Sequence, residues 1–378
     1  MRKKNRANFI GRLFDGVMLV LSGMAAIAML CAYLAPLVDP NRLWIFAYAG
    51  LGAPILYLIN LFLMLYWAIR WKAAFFLPLF VLLIGAPKIK TYYHFSSAAA
   101  NEIKPLRDNR TVKVLTYNVE GFMDYDPESQ KSTSTAREIT AFIREQAPDI
   151  ICLQEFQATP RMPEDTLNRL LAAWPHRRFH YTVHNNRGNG VWGTAIYSKF
   201  RIAEEGTVDF EESRNGALWV TVLTPAGDSL RVFCNHLETT YVDRDNVEFF
   251  ESEIFASDPD KTEQLRQIAG RLRRGFFKRA HQADTLARLI ASREVPTVVC
   301  GDFNDPPMSY TYRTMRGDFG DAFESKGHGY GFTYKNLYRL MRIDYILPSP
   351  HWETLSYESP DVPWSDHNPV IATLRWNY

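Results

Sequence analysis

From Gly16 to Val38, and again from Leu43 to Ile69, the chain carries no charged residue. Each run exceeds the roughly 20 apolar residues that cross a hydrocarbon core. The first ninety residues are therefore expected to be a membrane anchor of transmembrane helices. A third run, Ala73 to Pro87, is shorter and holds Pro78, which leaves a thin or tilted span and an interfacial helix as its two readings. Its apolar density between Phe75 and Ile84 favours crossing, so three spans are expected rather than two. A secretory signal peptide is disfavoured, because no small-x-small cleavage site stands out and another apolar segment follows at once.

Charge sets the expected orientation. Arg2, Lys3, Lys4, Arg6 and Arg12 crowd the N-terminus, which keeps it cytoplasmic by the positive-inside rule. The turn Asp39-Pro40-Asn41-Arg42 has one base and suits the outer side, and Arg70-Trp71-Lys72 returns a basic turn to the cytoplasm. Three crossings then put the remainder of the chain outside the cytoplasmic membrane. Residues 91–110, with Ser96-Ser97-Ala98-Ala99-Ala100 inside them, read as a linker, and residues 111–378 are long enough for one large domain. The four cysteines do not suggest disulfides: Cys31 lies in an apolar run, and Cys152, Cys234 and Cys300 lie in strand-like segments as small core residues. A net charge of +2 gives no overall polyelectrolyte signature of nucleic-acid binding.

Six peptides in this domain place polar side chains at the ends of apolar, β-branched runs. Thr297-Val298-Val299-Cys300 leads into Gly301-Asp302-Phe303-Asn304, where Asp302 and Asn304 are two apart and leave one face. Val112 to Gly121 ends in Asn118 and Glu120, and Asp149 to Glu155 ends in a carboxylate. Leu230 to Leu237 delivers His236, and Arg342-Ile343-Asp344-Tyr345-Ile346-Leu347 delivers Asp344. Ser365-Asp366-His367-Asn368 sets a carboxylate beside an imidazole. One strand meeting solvent through Asn, Glu or His is ordinary; six together suit metal-assisted phosphate chemistry. A hard cation on oxygen ligands neutralises a phosphodiester and polarises it, and a Glu, Asp and Asn ligand set suits magnesium or manganese better than zinc.

The order YNVEG, LQE, NHLE, GDFND, RIDYIL, SDHNPV resembles the endonuclease/exonuclease/phosphatase superfamily over about Thr111 to Tyr378. The resemblance implies a four-layer α/β sandwich, two mixed sheets face to face between helices, with the active site at one edge. It also implies roles. Glu155 would be the principal ligand of Mg2+ or Mn2+, with Asn118 and Glu120 in support and Asp366 near the metal. Asp302 would orient and deprotonate water, and Asn304 would hold a phosphate oxygen. His236 and His367 would contact the phosphoryl group, with Asp344 orienting His367. Deoxyribonuclease-like members pair the first histidine with a glutamate, but Gly190 to Ser198 offers none here, so the partner of His236 stays open.

Substrate is less constrained than chemistry. A nuclease-type phosphodiesterase leads, with a phospholipid, sphingomyelin or inositol-phosphate phosphoesterase as the alternative. An inactive membrane-anchored binding protein is the reading of another class. The expected partners are thus the bilayer and a phosphoester. The segment 241–260 is acidic and 261–279 is basic. It runs into an expected helix, Ala280 to Ser292, with Phe276-Phe277 beside it as a solvated face or a headgroup contact.

Overall fold

The computed structural model describes residues 2–96, 109–126, 131–185, 190–240, 259–336 and 339–377. Helices α1 (Arg2–Leu34), α2 (Ile45–Leu51), α3 (Ala53–Ile69) and α4 (Phe76–Gly85) come first, followed by β1 (Tyr93–His94). Then follow β2 (Thr111–Asn118), the hairpin β3 (Met123–Asp126) and β4 (Lys131–Ser134), α5 (Ala136–Gln146), β5 (Ile150–Ala158) and α6 (Glu164–Leu170). Strands β6 (His176–Asn185), β7 (Gly190–Ser198), β8 (Ile202–Asp209), β9 (Gly216–Leu223) and β10 (Ser229–His236) lead to α7 (Pro259–Ala291). The chain closes with β11 (Thr297–Asp302), α8 (Tyr310–Arg316), α9 (Ala322–Lys326), β12 (Gly329–Tyr330), β13 (Asp344–Pro348), β14 (Trp352–Glu358) and β15 (Val370–Trp376).

Two mixed sheets form the expected sandwich. One has the order β14-β15-β2-β5-β7-β6 and the other β13-β11-β10-β9-β8. Each holds one parallel pair, β2 with β5 and β10 with β11, and all other pairs in these sheets are antiparallel. Strand alternation then assigns every second side chain to a layer. Val112, Val114 and Cys152 meet Val232, Cys234, Val298 and Cys300 between the sheets. Ile151 and Leu153 point outward under α5 and α6, while Phe233 and Val299 point outward under α7 and α8. The three strand cysteines are buried and unpaired, small side chains at the dry centre.

Polar links bind the helices of the first ninety residues to one another. Asn60 Nδ2 on α3 donates to Ala25 O on α1 at 3.2 Å, and Trp67 Nε1 donates to Ser22 Oγ at 2.8 Å. Tyr57 Oη donates to Gly85 O of α4 at 2.9 Å. Gly11–Leu37 and Ala73–Thr91 are each long and apolar enough to cross a membrane. The apolar run Leu43 to Ile69, expected as one span, is bent: α2 and α3 meet at 72°, and the run gives a third candidate span when the pair is taken as one. The break falls at Gly52, with Pro54 in the first turn of α3, where a missing N–H costs nothing but a preceding helical turn would clash. Among the described residues, every exposed large apolar side chain except Leu223 and Leu265 belongs to residues 13–95.

Of the expected linker, residues 91–96 pack on the domain and 97–108 lie outside the described residues. Tyr92 is buried, and Tyr93 pairs with Tyr330 between β1 and β12. Arg342, just before β13, donates from Nε to Thr91 O at 3.1 Å and bidentately to Asp321 at 3.1 and 2.8 Å. Its guanidinium also lies over the rings of Phe323 and Tyr345. Both partners of this ion pair are fully buried, so removing one strands a charge in the core. Asp321→Ala should therefore destabilise the detergent-solubilised chain by about 3–5 kcal/mol in chemical denaturation. An unchanged midpoint would show that the pair holds nothing together.

Candidate active site

Both parallel pairs end at the same edge of the sandwich. In β2 and β5 the last paired residues are Asn118 and Gln154, and in β10 and β11 they are His236 and Asp302. Asp302 also stands opposite Asp344 across the antiparallel β11–β13 pair. The backbone is unusual here: Glu120, Phe122, Glu155 and Asn304 all have positive φ, between 46° and 57°. At Glu155 this coincides with a break in register against β7 between Leu153 and Phe156, which turns the carboxylate out of the strand alternation. Such conformations persist only where the surroundings impose them, and they gather at working sites.

Asp302 is the hub. Its Oδ2 accepts from Asn118 Nδ2 at 3.1 Å and from Asn304 Nδ2 at 3.2 Å, and its Oδ1 accepts from the Asn304 backbone N at 2.8 Å. Asn304 Nδ2 donates also to Leu237 O at 3.0 Å, so this amide clamps Asp302 to the end of β10. Asn118 Nδ2 reaches Glu155 Oε1 at 3.2 Å, while Asn118 Oδ1 accepts from the Glu120 backbone N at 3.2 Å. Glu120 Oε2 in turn accepts from Asp366 N at 3.0 Å. His367 Nδ1 lies 2.9 Å from Asp344 Oδ2, and its Nε2 is 3.8 Å from Asp302 Oδ2 and 3.9 Å from Asp366 Oδ1. His236 Nε2 stands 3.7 Å from Glu155 Oε1 and 3.8 Å from Asp302 Oδ2, buried and without a hydrogen-bond partner among the described residues. All nine side chains named from the sequence thus meet in one cluster.

Electrostatics divide the cluster. Burial, with the Asp366 charge behind it, pushes Glu155 up to about 8. Burial and Asp344 push Asp302 up to about 7. His236 falls to about 3 through burial, aided by the positive His367 nearby. His367 is also desolvated, but Asp344, Asp302 and Asp366 together outweigh that and hold it well above the ordinary imidazole range. One histidine is therefore neutral and the other cationic in the same site.

The donors fit a hard divalent cation. Glu155 and Asp366 side chains are 19% and 25% exposed, whereas Asp302 is 1% exposed, so the accessible carboxylates line the open side. Crowded acids whose protons are held near neutrality are what a bound cation would relieve. Oxygen donors from Glu155, Asp366, Glu120 and Asn118 could hold it. A second acidic group, Asp302, Asp344 and His367, is also compact enough to be considered. There the imidazole is engaged with Asp344 and kept protonated, and a ligand imidazole must be neutral.

Several side chains of the site carry no motif of their own. Thr333 Oγ1 accepts from the backbone N of both Ile343 and Asp344 at 3.0 Å, fixing the start of β13. Ser365 Oγ donates to Asn118 O at 2.8 Å and accepts from His367 N at 3.1 Å, joining the loop before β15 to the end of β2. The Tyr334 ring lies 5.0 Å from the His367 ring. The cavity at the cluster, about 140 Å³, is lined by Glu155, Asp302, Asn304, Asp366 and His367 and also by Leu51, Leu272, Met341 and Ile343. The basic stretch is used elsewhere. Arg279 is buried against Asp305 at 2.9 Å, Lys278 reaches Glu238 at 3.2 Å, and Phe276 meets Tyr48 edge-on. The acidic stretch 241–258 lies outside the described residues.

The family model described as the endonuclease/exonuclease/phosphatase family matches residues 115–367, which include all nine residues of the cluster. The chain belongs to this family. A second match, to a domain of unknown function, covers residues 15–92. No match is found among curated proteins. Among solved structures, the chain is similar to an endonuclease/exonuclease/phosphatase from Beutenbergia cavernae, with 22% identity, a TM-score of 0.49, and 71% of this chain and 72% of that one covered. It is also similar to one from Bacteroides vulgatus (20%, TM-score 0.49, 71% and 99% covered) and to the human Nocturnin catalytic domain with bound sulfate (19%, 0.49, 72% and 95%).

Proposed function

We propose that the chain is a membrane-anchored, divalent-metal-dependent phosphoester hydrolase. The anchor would be residues 1–90, the junction 91–110 and the catalytic domain 111–378. The observation that carries the reading is Asp302, held by two asparagine amides between a neutral and a cationic histidine. Glu155, Asn118, Glu120 and Asp366 would hold Mg2+ or Mn2+, which when bound neutralises phosphate charge and polarises the ester. Asp302, poised at about 7, orients a water molecule and takes its proton as it attacks phosphorus. His367, kept protonated and aimed by Asp344, donates to the phosphoryl oxygens as charge develops there. His236 presents an unengaged Nε2 to the same spot, and in the Nε2–H tautomer it supplies a second donor. Asn304 positions Asp302 and reaches the phosphate only by exchanging one of its present bonds.

Phosphodiester cleavage of nucleic-acid type and cleavage of a phospholipid or inositol phosphate share this machinery. Asp302→Asn and His367→Ala should each lower turnover of a phosphodiester by about 10²–10⁴-fold, with little change in thermal stability. Unfolding of both, or full activity in either, would make the residues structural. Glu155→Gln should bind manganese more weakly by calorimetry and regain part of its activity when the metal is raised. Binding equal to the wild type would remove Glu155 from the metal site.

Membrane residence is supported by the two helices of spanning length, by the bent apolar pair and by the apolar side chains left exposed on all of them. The helix ends are also sorted. Asp15 pairs with Arg70 at 2.9 Å at one end of the helices, while Ala35, Gly50 and Tyr92 lie against the domain at the other. With the basic N-terminus cytoplasmic, this arrangement supports three crossings and an extracytoplasmic catalytic domain. A periplasm-dependent phosphatase fused after residue 378 should be active. Silence from it beside a working cytoplasmic reporter at the same position would place the domain inside.

A further inference from the structure

The catalytic cavity is completed by the helices of the first ninety residues. Leu51, the last residue of α2, lines it together with the acidic cluster and Leu272 of α7. Three contacts hold α2 there. Tyr48 Oη donates to Ala269 O of α7, the Tyr48 ring meets Phe276 edge-on at 5.2 Å, and the Arg273 guanidinium lies 5.8 Å from the centre of the Trp44 ring. Gly50 approaches the loop after Asn304 so closely that a Cβ there would sit 2.1 Å from Met308 O. A bent apolar pair whose elbow closes a hydrolase site does more than tether it.

A second cavity, of about 650 Å³, adjoins the first. Leu58 and Leu61 of α3 and Leu82 of α4 form one wall, and Tyr330, Phe332 and Leu340 form the other. Its volume lies within the roughly 300–1,000 Å³ of ligand sites. Leu340 and Met341 part the two cavities: Leu340 lines the apolar groove and its neighbour Met341 the first cavity, where Met341 is bridged to Tyr334. Among the described residues lining the catalytic cavity there is no lysine or arginine. Nucleic-acid sites track the flanking phosphates with such residues. Here much of the lining around the acids is apolar, and on the far side of Leu340 lies a groove lined by helices of membrane-spanning character.

We propose that the substrate is a phosphodiester lipid taken from the bilayer, its phosphate in the catalytic cavity and an acyl chain in the groove between α3 and α4 on one hand and Tyr330, Phe332, Arg339 and Leu340 on the other. This rests on the hydrolase reading above and names its substrate class. Water adds to phosphorus with its proton passing to Asp302. One P–O ester bond breaks, and the departing alkoxide takes a proton from solvent, leaving an alcohol and a phosphomonoester. The chain's hydrocarbon recognises length rather than headgroup, at up to about fourfold in affinity per buried methylene.

The test uses the full chain in detergent micelles with manganese. Substrates are long-chain phosphatidylglycerol, phosphatidylethanolamine and sphingomyelin, the water-soluble bis(p-nitrophenyl) phosphate, and single-stranded DNA and RNA. Leu58→Trp and Leu340→Trp fill the groove from its two walls. Each is expected to lower kcat/KM for the lipid at least tenfold and to leave that for bis(p-nitrophenyl) phosphate within twofold. A phosphatidylglycerol with a diazirine on its acyl chain should label peptides containing Leu58 or Leu340, and unlabelled lipid should compete; this readout needs no turnover. Hydrolysis of the soluble ester with none of the three lipids cleaved overturns this inference alone. So does equal loss on both substrates in both variants, or a kcat/KM for DNA or RNA above that for every lipid. No hydrolysis of any substrate overturns the hydrolase reading and this inference with it.

Discussion

The two halves of the sandwich are tied strand end to strand end at the site: Asn118 Nδ2, from the six-stranded sheet, donates to Asp302 Oδ2, from the five-stranded sheet, at 3.1 Å. Each residue ends a strand of a parallel pair, so the two sheets must stack with those pairs in line. The interior accommodates this with small side chains, Cys152, Cys234 and Cys300, where the pairs face one another. Gly301 is needed for the same reason. Its φ is +126°, and a Cβ there would lie 2.0 Å from Asn235 O, so any other residue would push β11 away from β10 and move Asp302. Core packing and site geometry are one constraint at this edge.

Burial then differentiates groups that look alike in composition. His236 and His367 are both buried, but only His367 faces Asp344, Asp302 and Asp366 closely enough to stay cationic. Likewise Asp302 and Glu155 are pushed upward chiefly by lost hydration, while Asp321 keeps its charge because Arg342 binds it bidentately. The same low-polarity surroundings that raise a lone carboxylate strengthen its attraction for a cation or a paired base. Where a partner is built in the carboxylate holds its charge firmly, and where none is its proton affinity rises.

The strand ends were legible because apolar β-branched runs announce strands and the residue after each run announces the edge. That logic located Asn118, Glu120, Glu155, His236, Asp302, Asn304, Asp344, Asp366 and His367, and the resemblance of the motif order to the family gave each an expected role. It could not locate Thr333, Ser365 or Leu51, whose importance lies in contacts with residues 10, 247 and hundreds of positions away. The bend within the run Leu43 to Ile69 was not legible, because apolar length alone hides what Gly52 and Pro54 do to a helix. The basic segment read as a solvated or headgroup-facing surface; Arg266, Arg273 and Arg274 are exposed, whereas Phe276 and Arg279 are spent inside, holding α2 and Asp305. Partner choice among tertiary contacts has no local pattern, whereas strand ends and helix breakers do.

The account stands on oxygen-ligand metal chemistry at the Asn118–Asp302 junction. Its most direct measurement is hydrolysis of bis(p-nitrophenyl) phosphate by the purified full chain, stripped with EDTA and then titrated with magnesium or manganese. Turnover should fall to background on chelation and return along a saturable curve as either ion is added. Turnover that survives complete chelation would contradict it.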